Sequence, residues 1–223
     1  MSQTKPTVIS LLLLLACFPS FGKDYFFMAQ EDHFYANPAN WFPAYPGTHI
    51  DADDKVVLME DATIDGFSLQ VEGTLEIGME ATLQSRQGEI IISPRGTFNN
   101  AGEVYIAGII NGGILNNRHG AQIHIHQFVA QLGAITHNAA SAAFVTLAEL
   151  VNQGRFDNYG LCRIGRDFKN LATFNQISSS QLKVAGELHL KPGSTFYRSQ
   201  ESEVYQGRSE ELFLGEQLAR IYP

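Results

Sequence analysis

Gly96-Thr97-Phe98-Asn99-Asn100-Ala101-Gly102 recurs as Gly154-Arg155-Phe156-Asp157-Asn158-Tyr159-Gly160, with a looser copy between them, Gly113-Ile114-Leu115-Asn116-Asn117-Arg118-His119-Gly120. Each copy is a glycine, any residue, a large apolar residue, then asparagine, and a second glycine that opens another short β-like run. A unit repeated at this scale is the signature of a solenoid, in which each repeat buries its apolar face against its neighbours. Candidate units start at Gly73, Gly96, Gly113, Gly133, Gly154, Ala172 and Gly193. Each start precedes a residue followed by an apolar one, Leu75, Phe98, Leu115, Ile135, Phe156 and Phe174, and the last unit is one residue out of step at Phe196.

A second run follows in several units: Glu103-Val104-Tyr105-Ile106, Gln122-Ile123-His124-Ile125, Leu161-Cys162-Arg163-Ile164 and Gln181-Leu182-Lys183-Val184. Strand side chains alternate between faces, so Val104/Ile106, Ile123/Ile125, Cys162/Ile164 and Leu182/Val184 are expected inside the coil. Asparagine and glycine suit the corners, because both tolerate the left-handed backbone region. Asparagines stacked in successive rungs can also hydrogen-bond along the axis. Asn100, Asn117, Asn138, Asn158 and Asn175 are the candidates for such a ladder.

Upstream, Lys55-Val56-Val57-Leu58, Ala62-Thr63-Ile64-Asp65, Ser68-Leu69-Gln70-Val71 and Thr74-Leu75-Glu76-Ile77 are further short runs punctuated by glycine. Residues 138–151 are alanine-rich and carry helical propensity, but the register predicts a strand at Phe144-Val145-Thr146-Leu147. Residues 23–46 hold eight aromatic residues, among them Tyr25, Phe27, Trp41 and Tyr45. They are expected to close the open end of the β core, in preference to forming a sugar-stacking surface. At the other end Leu214, Leu218 and Ile221 share one face of a short amphipathic helix that is expected to cap the last rung.

The first residues are expected to be an export signal. Lys5 gives a basic start, and the apolar run 8–16 is shorter than the roughly 20 residues a bilayer needs. Two processing readings compete: cleavage after Ser20-Phe21-Gly22, or lipidation of Cys17 in Leu14-Leu15-Ala16-Cys17. Either puts the protein outside the cytoplasm, secreted or at the cell surface, and in the outer membrane if Cys17 is lipidated. The expected organisation is a signal over 1–22, an N-terminal segment over 23–52, a parallel β-helix over 53–200 and a C-terminal cap over 201–223. The expected fold class is all-β, a single-stranded right-handed parallel β-helix with an N-terminal aromatic cap and a short C-terminal helical cap.

These residues resemble bacterial secreted or cell-surface parallel β-helix proteins of the adhesin and autotransporter-passenger type. The resemblance runs through Trp41, Pro46-Gly47, Asp53-Asp54-Lys55-Val56, Leu69-Gln70-Val71-Glu72-Gly73-Thr74-Leu75 and Ala81-Thr82-Leu83 into the Gly-x-Phe-x-Asn-x-Gly rungs, over about 41–196. It implies the fold and export, and no particular ligand. The chain shows no evident barrel translocator or long sorting domain after the rungs.

The net charge of −8 and the lack of a Lys/Arg cluster argue against a nucleic-acid partner. With Cys17 in the signal, Cys162 stands alone and no internal disulfide framework forms. His124 and His126, two apart on one strand with His119 nearby, are read as surface histidines ahead of a metal site. Asp51, Asp53 and Asp54 are read as turn formers ahead of a Ca²⁺ site. Glu89 with Glu103, and Arg163 with Lys183, are candidate pairs stacked on adjacent rungs. No phosphate loop, HExxH or GxSxG motif is present. No catalytic, cofactor-binding or metal residue and no cofactor is assigned. The expected function is a structural or adhesive surface protein that presents a sheet face to glycan, matrix or protein partners. The alternative is a carbohydrate-active enzyme or binding module on the same scaffold.

Overall fold

A computed structural model describes residues 22–207. They wind into a β-solenoid of about eight turns. One wall is a ten-stranded sheet that climbs through Asp24–Phe27, Lys55–Leu58, Thr74–Ile77, Thr97–Asn100, Ile114–Asn117, Ile135–Asn138, Arg155–Asn158, Thr173–Gln176 and Thr195–Arg198. The other wall is a fourteen-stranded sheet with two arms. In two rungs a single strand, Glu103–Asn111 or Gln122–Ala130, runs through both arms; the neighbouring rungs break it into two, as in Thr82–Gln84 with Glu89–Ile92. Among the described strands every pairing is parallel except that of Trp41–Phe42, which lies antiparallel against Asp24–Phe27 at the edge of the first wall. The alanine-rich stretch follows the register: Ala143–Thr146 is a strand between Gln122–Ile125 and Leu161–Ile164.

The inward columns are the predicted ones. Val104, Ile106, Ile123, Ile125, Cys162, Ile164, Leu182 and Val184 are all buried. Opposite them Val56, Leu75, Phe98, Leu115, Phe156 and Phe174 form the inward column of the first wall. The parallel ladder also reaches further than 53–200. Asp24–Phe27 already pairs with Lys55–Leu58, and Glu203–Gln206 still pairs with Gln181–Val184. Tyr25, Phe27, Tyr35 and Trp41 are buried in the core at this end. Tyr35 packs on Trp41 at 4.7 Å between ring centroids, and the indole Nε1 donates to the Tyr35 carbonyl at 2.6 Å. The expected C-terminal helix lies outside the described residues.

The corners come in two lengths, and this explains a slip in the sequence alignment. Short corners insert two residues between strands, as Ala101 and Gly102 do between Asn100 and Glu103. In four of these the asparagine side chain closes the bend: Oδ1 of Asn100, Asn111, Asn152 and Asn158 accepts the N–H two residues on, from Gly102, Gly113, Gly154 and Gly160. Long corners insert four residues and close with a main-chain bond, as from Ala121 N–H to the Arg118 carbonyl. Their third residue often takes a positive φ: Gly120 at +77°, Gly133 at +84° and Gly193 at +86°. Aligning units on Gly133 and Gly193 is therefore one residue off. The register sets Thr136, not Ile135, beneath Leu115, and it brings Phe196 into step with Phe174. Ile135 is 41% exposed, whereas Thr136 is buried and its Oγ1 accepts from Asn111 at 3.0 Å.

The ladder prediction needs the same kind of correction. Asn100, Asn117, Asn138 and Asn158 do stack inside the coil, each Nδ2 donating to the next Oδ1 at 2.7–2.9 Å. The next member is Gln176, which accepts from Asn158 at 2.9 Å. Asn175 points the other way and bonds Asp157 on the outer face. The column is set by period two, and Asn175 is one residue out of phase with it.

The two glycine roles predict different substitution costs. A Cβ on Gly102 would run into the Gly78 and Ala81 carbonyls of the preceding rung. A Cβ on Gly120 meets open space, but its φ is left-handed. Gly102→Ala is expected to cost about 1–3 kcal/mol through overpacking, and Gly120→Ala about 1 kcal/mol through backbone strain. Urea denaturation of the two variants checks this; Gly120→Ala proving the costlier would contradict the assignment of roles.

Candidate functional site

The outer surface of the first wall is a regular lattice. Its outward column runs Glu76, Asn99, Asn116, His137, Asp157, Asn175 and Tyr197. Asn116 donates to Asn99 at 2.9 Å and Asn175 to Asp157 at 2.7 Å. The two carboxylates are four rungs apart, about 19 Å at the usual strand spacing. Each is held by cations: Glu76 by Lys55 at 2.9 Å and Arg118 at 3.0 Å, Asp157 by Arg155 at 2.9 Å. These cations and their hydrogen bonds keep the Glu76 carboxyl below its ordinary range, Lys55 contributing most.

The second wall changes phase between its arms, its inward places running Val104, Ile106 and Ile109 in one rung and Ile123, Ile125 and Phe128 in the next. Tyr105, Gly108 and His124 lie on the outward phase yet are buried, Tyr105 at 8% and His124 at 2% exposure. The His124 ring stacks on Tyr105 at 5.0 Å between centroids. Its Nε2 is 3.2 Å from Gln122 Oε1, and the Tyr105 hydroxyl donates to Glu103 at 2.8 Å. His124 is thus no solvated surface histidine, contrary to the sequence reading, while His119 and His126 are exposed. The two separate because His124 is covered by the Tyr105 ring of the preceding rung, while His126 stays exposed where the buried places slip from Ile125 to Phe128. Among the described residues no group of three or more His, Cys, Asp or Glu is placed to hold a metal ion.

Burial pushes the His124 pKa down to about 4; the nearby Arg163 charge adds to this and Glu103 opposes it. The folded state therefore keeps His124 neutral while the unfolded chain takes up a proton near pH 6.5. The stability tied to this residue is present above pH 6.5, is lost as the pH falls towards 4, and changes no further below that. His124→Phe, which keeps an aromatic ring for Tyr105, is expected to flatten the fall of the urea midpoint across that window. An unchanged slope in the variant would show that other groups carry it.

The other candidate residues separate. Glu89 and Glu103 do not stack: Glu89 aligns with Gly108 in one arm, and Glu103 with Thr82 and Gln122 in the other. Arg163 and Lys183 do occupy adjacent rungs of one column. Arg163 Nε is buried with no hydrogen-bond partner, and Lys183 Nζ lies 5.5 Å from the centre of the Tyr205 ring. Asp51, Asp53 and Asp54 form a turn closed by Asp54 N–H to the Asp51 carbonyl, and Asp54 Oδ1 accepts the Lys23 N–H at 2.8 Å. Of the N-terminal aromatics Phe34 and Phe42 stay exposed. Cys162 is fully buried, which raises its pKa and leaves the thiol inert.

Sequence reasoning missed two features. One is the Tyr105–His124 stack, for which period two alone gives no signal. The other is a second amide column, where Asn152 donates to Asn170 at 2.8 Å and Asn111 stands in register three rungs below Asn170. Its signal was present: Asn-x-Gly at Asn111 and Asn152 marks short corners just as it does at Asn100 and Asn158. No protein-family model, curated protein or solved structure matches this chain.

Proposed function

We propose that this is an exported structural or adhesive surface protein that displays the outer faces of its solenoid to glycan, matrix or protein partners. The carrying observation is the dispersal of carboxylates on the outer face of the first wall. Glu76 and Asp157 are four rungs apart and each is neutralised by neighbouring cations. Hydrolysis of a glycosidic bond needs two carboxyls within about 5–10 Å, one of them able to give up a proton. A regular face whose amides are tied to one another suits recognition of an extended partner better. Export by an N-terminal signal belongs to this reading, with either cleavage after Gly22 or a lipid on Cys17 to anchor the protein, in the manner of the bacterial surface proteins it resembles.

The carbohydrate-active alternative draws on one observation, the grouping of Glu103, Tyr105, Gln122 and His124 on adjacent rungs. His124 is nearly inaccessible there, which speaks against it as a proton donor or acceptor for a polymer. A glycan array with the mature protein, paired with assays for reducing ends and unsaturated sugars, tests the choice. Binding without turnover is expected; turnover would overturn the reading. Mass spectrometry of the mature N-terminus tests the signal, and an intact Met1 would refute it.

A further inference from the structure

The outward side of the second arm carries an aliphatic stripe where a solvated sheet face would carry polar residues. Ile91, Ile110, Val129 and Val151 lie on four consecutive rungs in direct register. Their neighbours Ile90, Ile109, Phe128 and Leu150 point inward and are buried, so these four point outward by alternation. Each is partly exposed, and none belongs to the hydrophobic core. The same column turns polar at both ends, at Gln70 and His49 on one side and Lys169 and His189 on the other. An apolar centre with a polar rim is the anatomy of an interface. Two residues earlier in each rung, the outward places beside the stripe run Glu89, Gly108, Gln127 and Glu149, and Asp167 and Glu187 continue this column past its end; Glu149 is paired with Lys169 at 2.9 Å.

The spacing identifies the shape of the partner. Successive rungs are about 4.8 Å apart. Side chains on one face of an α-helix, three or four residues apart, recur every 4.5–6 Å or so along its axis. Alternate side chains of a β-strand recur every 6.6 Å or so and fall out of step within two rungs. The geometry points to a docking surface for an amphipathic helix of a protein partner, whose aliphatic ridge lies along Ile91, Ile110, Val129 and Val151 and whose edge facing the carboxylates carries lysine or arginine. Charge separates this occupant from two others. A second copy brings a net charge of −8 to an acidic face, and residues 208–223 carry three glutamates against two arginines. The inference rests on the proposed binding role and names the surface and the partner class.

The test uses the full mature chain and two synthetic helical peptides with the same leucine ridge, one edged with lysine and one with glutamate, followed by fluorescence anisotropy. The lysine-edged peptide is expected to bind, at least about tenfold more tightly than the glutamate-edged one. Ile110→Thr with Val129→Thr should abolish that binding while leaving the urea midpoint near that of the parent. Glu89→Gln, which removes the carboxylate beside Ile91, should weaken it and reduce its salt dependence. Equal binding of both peptides, or binding indifferent to the double substitution, overturns the proposal. So does a dimer in sedimentation that the double substitution makes monomeric, which would assign the stripe to a second copy. Peptide binding that appears only after removal of 208–223 would assign it to that segment. A positive glycan array alongside a negative peptide result would remove this surface and leave the broader binding role standing.

Discussion

Phe156→Ala is expected to lower the stability of the solenoid by about 3–5 kcal/mol, the largest effect of any single truncation considered. Phe156 is fully buried and joins three other aromatic rings. Its centroid lies 5.1 Å from Phe174 on the next rung, 5.3 Å from Phe144 across the core and 6.1 Å from Phe128. Phe174 continues the column to Phe196, stacked at 5.5 Å. The rungs are bonded to their neighbours on both sides, so the walls cannot close around the void, and the cavity term adds to the lost transfer energy. Phe156→Leu retains most of the volume and should cost less than half as much. Because each turn contacts only adjacent turns, the loss is also expected to loosen the rungs around 144–174 before those near 56–98. Urea denaturation measures the first effect and amide hydrogen exchange the second. A midpoint within error of the parent would mean that the rings of Phe128, Phe144, Phe156 and Phe174 are not one packed cluster.

The inward columns were legible because burial on a strand has a period of two, and that pattern survives without any alignment. Val104/Ile106 and Ile123/Ile125 show it in their own rungs. The position of a unit boundary was less legible. Glycine serves two different ends in this fold, close approach to the preceding rung at Gly102 and a left-handed φ at Gly133, and the letter does not distinguish them. Hence counting from Gly133 gives Ile135 the apolar place of its unit, although Thr136 is the residue that points inward. The place in the corner tells the two apart: the left-handed Gly120, Gly133 and Gly193 are third of four, whereas Gly96 and Gly102, in close approach, stand last before the strand. The fate of His124 was not legible at all. Alternation places it outward correctly, but its burial goes with the stack on Tyr105 of the adjacent rung, a contact between rungs that no local pattern shows. The outer stripe at Ile110 and Val129 escaped for a related reason: in a run such as Glu89-Ile90-Ile91-Ile92, apolar residues on both faces hide the alternation.

Asn138→Ala is expected to cost about 2–4 kcal/mol, far more than the loss of an ordinary polar side chain, because it breaks the amide ladder in the middle. Asn138 is fully buried. It accepts from Asn117 Nδ2 at 2.8 Å, and its own Nδ2 donates to Asn158 Oδ1 at 2.7 Å and to the Leu161 carbonyl at 3.0 Å. Alanine removes all three bonds and leaves polar partners inside the coil, where water cannot replace them without opening a rung. Asn138→Asp tests the direction of the ladder. Aspartate can still accept from Asn117, but it cannot donate to Asn158 or Leu161, and it places a charge in the core, so it should be at least as damaging as alanine at neutral pH. The matched control is Asn99→Ala on the outer lattice. Asn99 accepts a hydrogen bond of similar length from Asn116, 2.9 Å, but its environment is partly solvated, and its loss should stay within about 0.5 kcal/mol. Urea denaturation of the three variants ranks them. If Asn99→Ala proved as costly as Asn138→Ala, burial would not be what gives the inner column its weight, and the asparagines would be no more than turn residues.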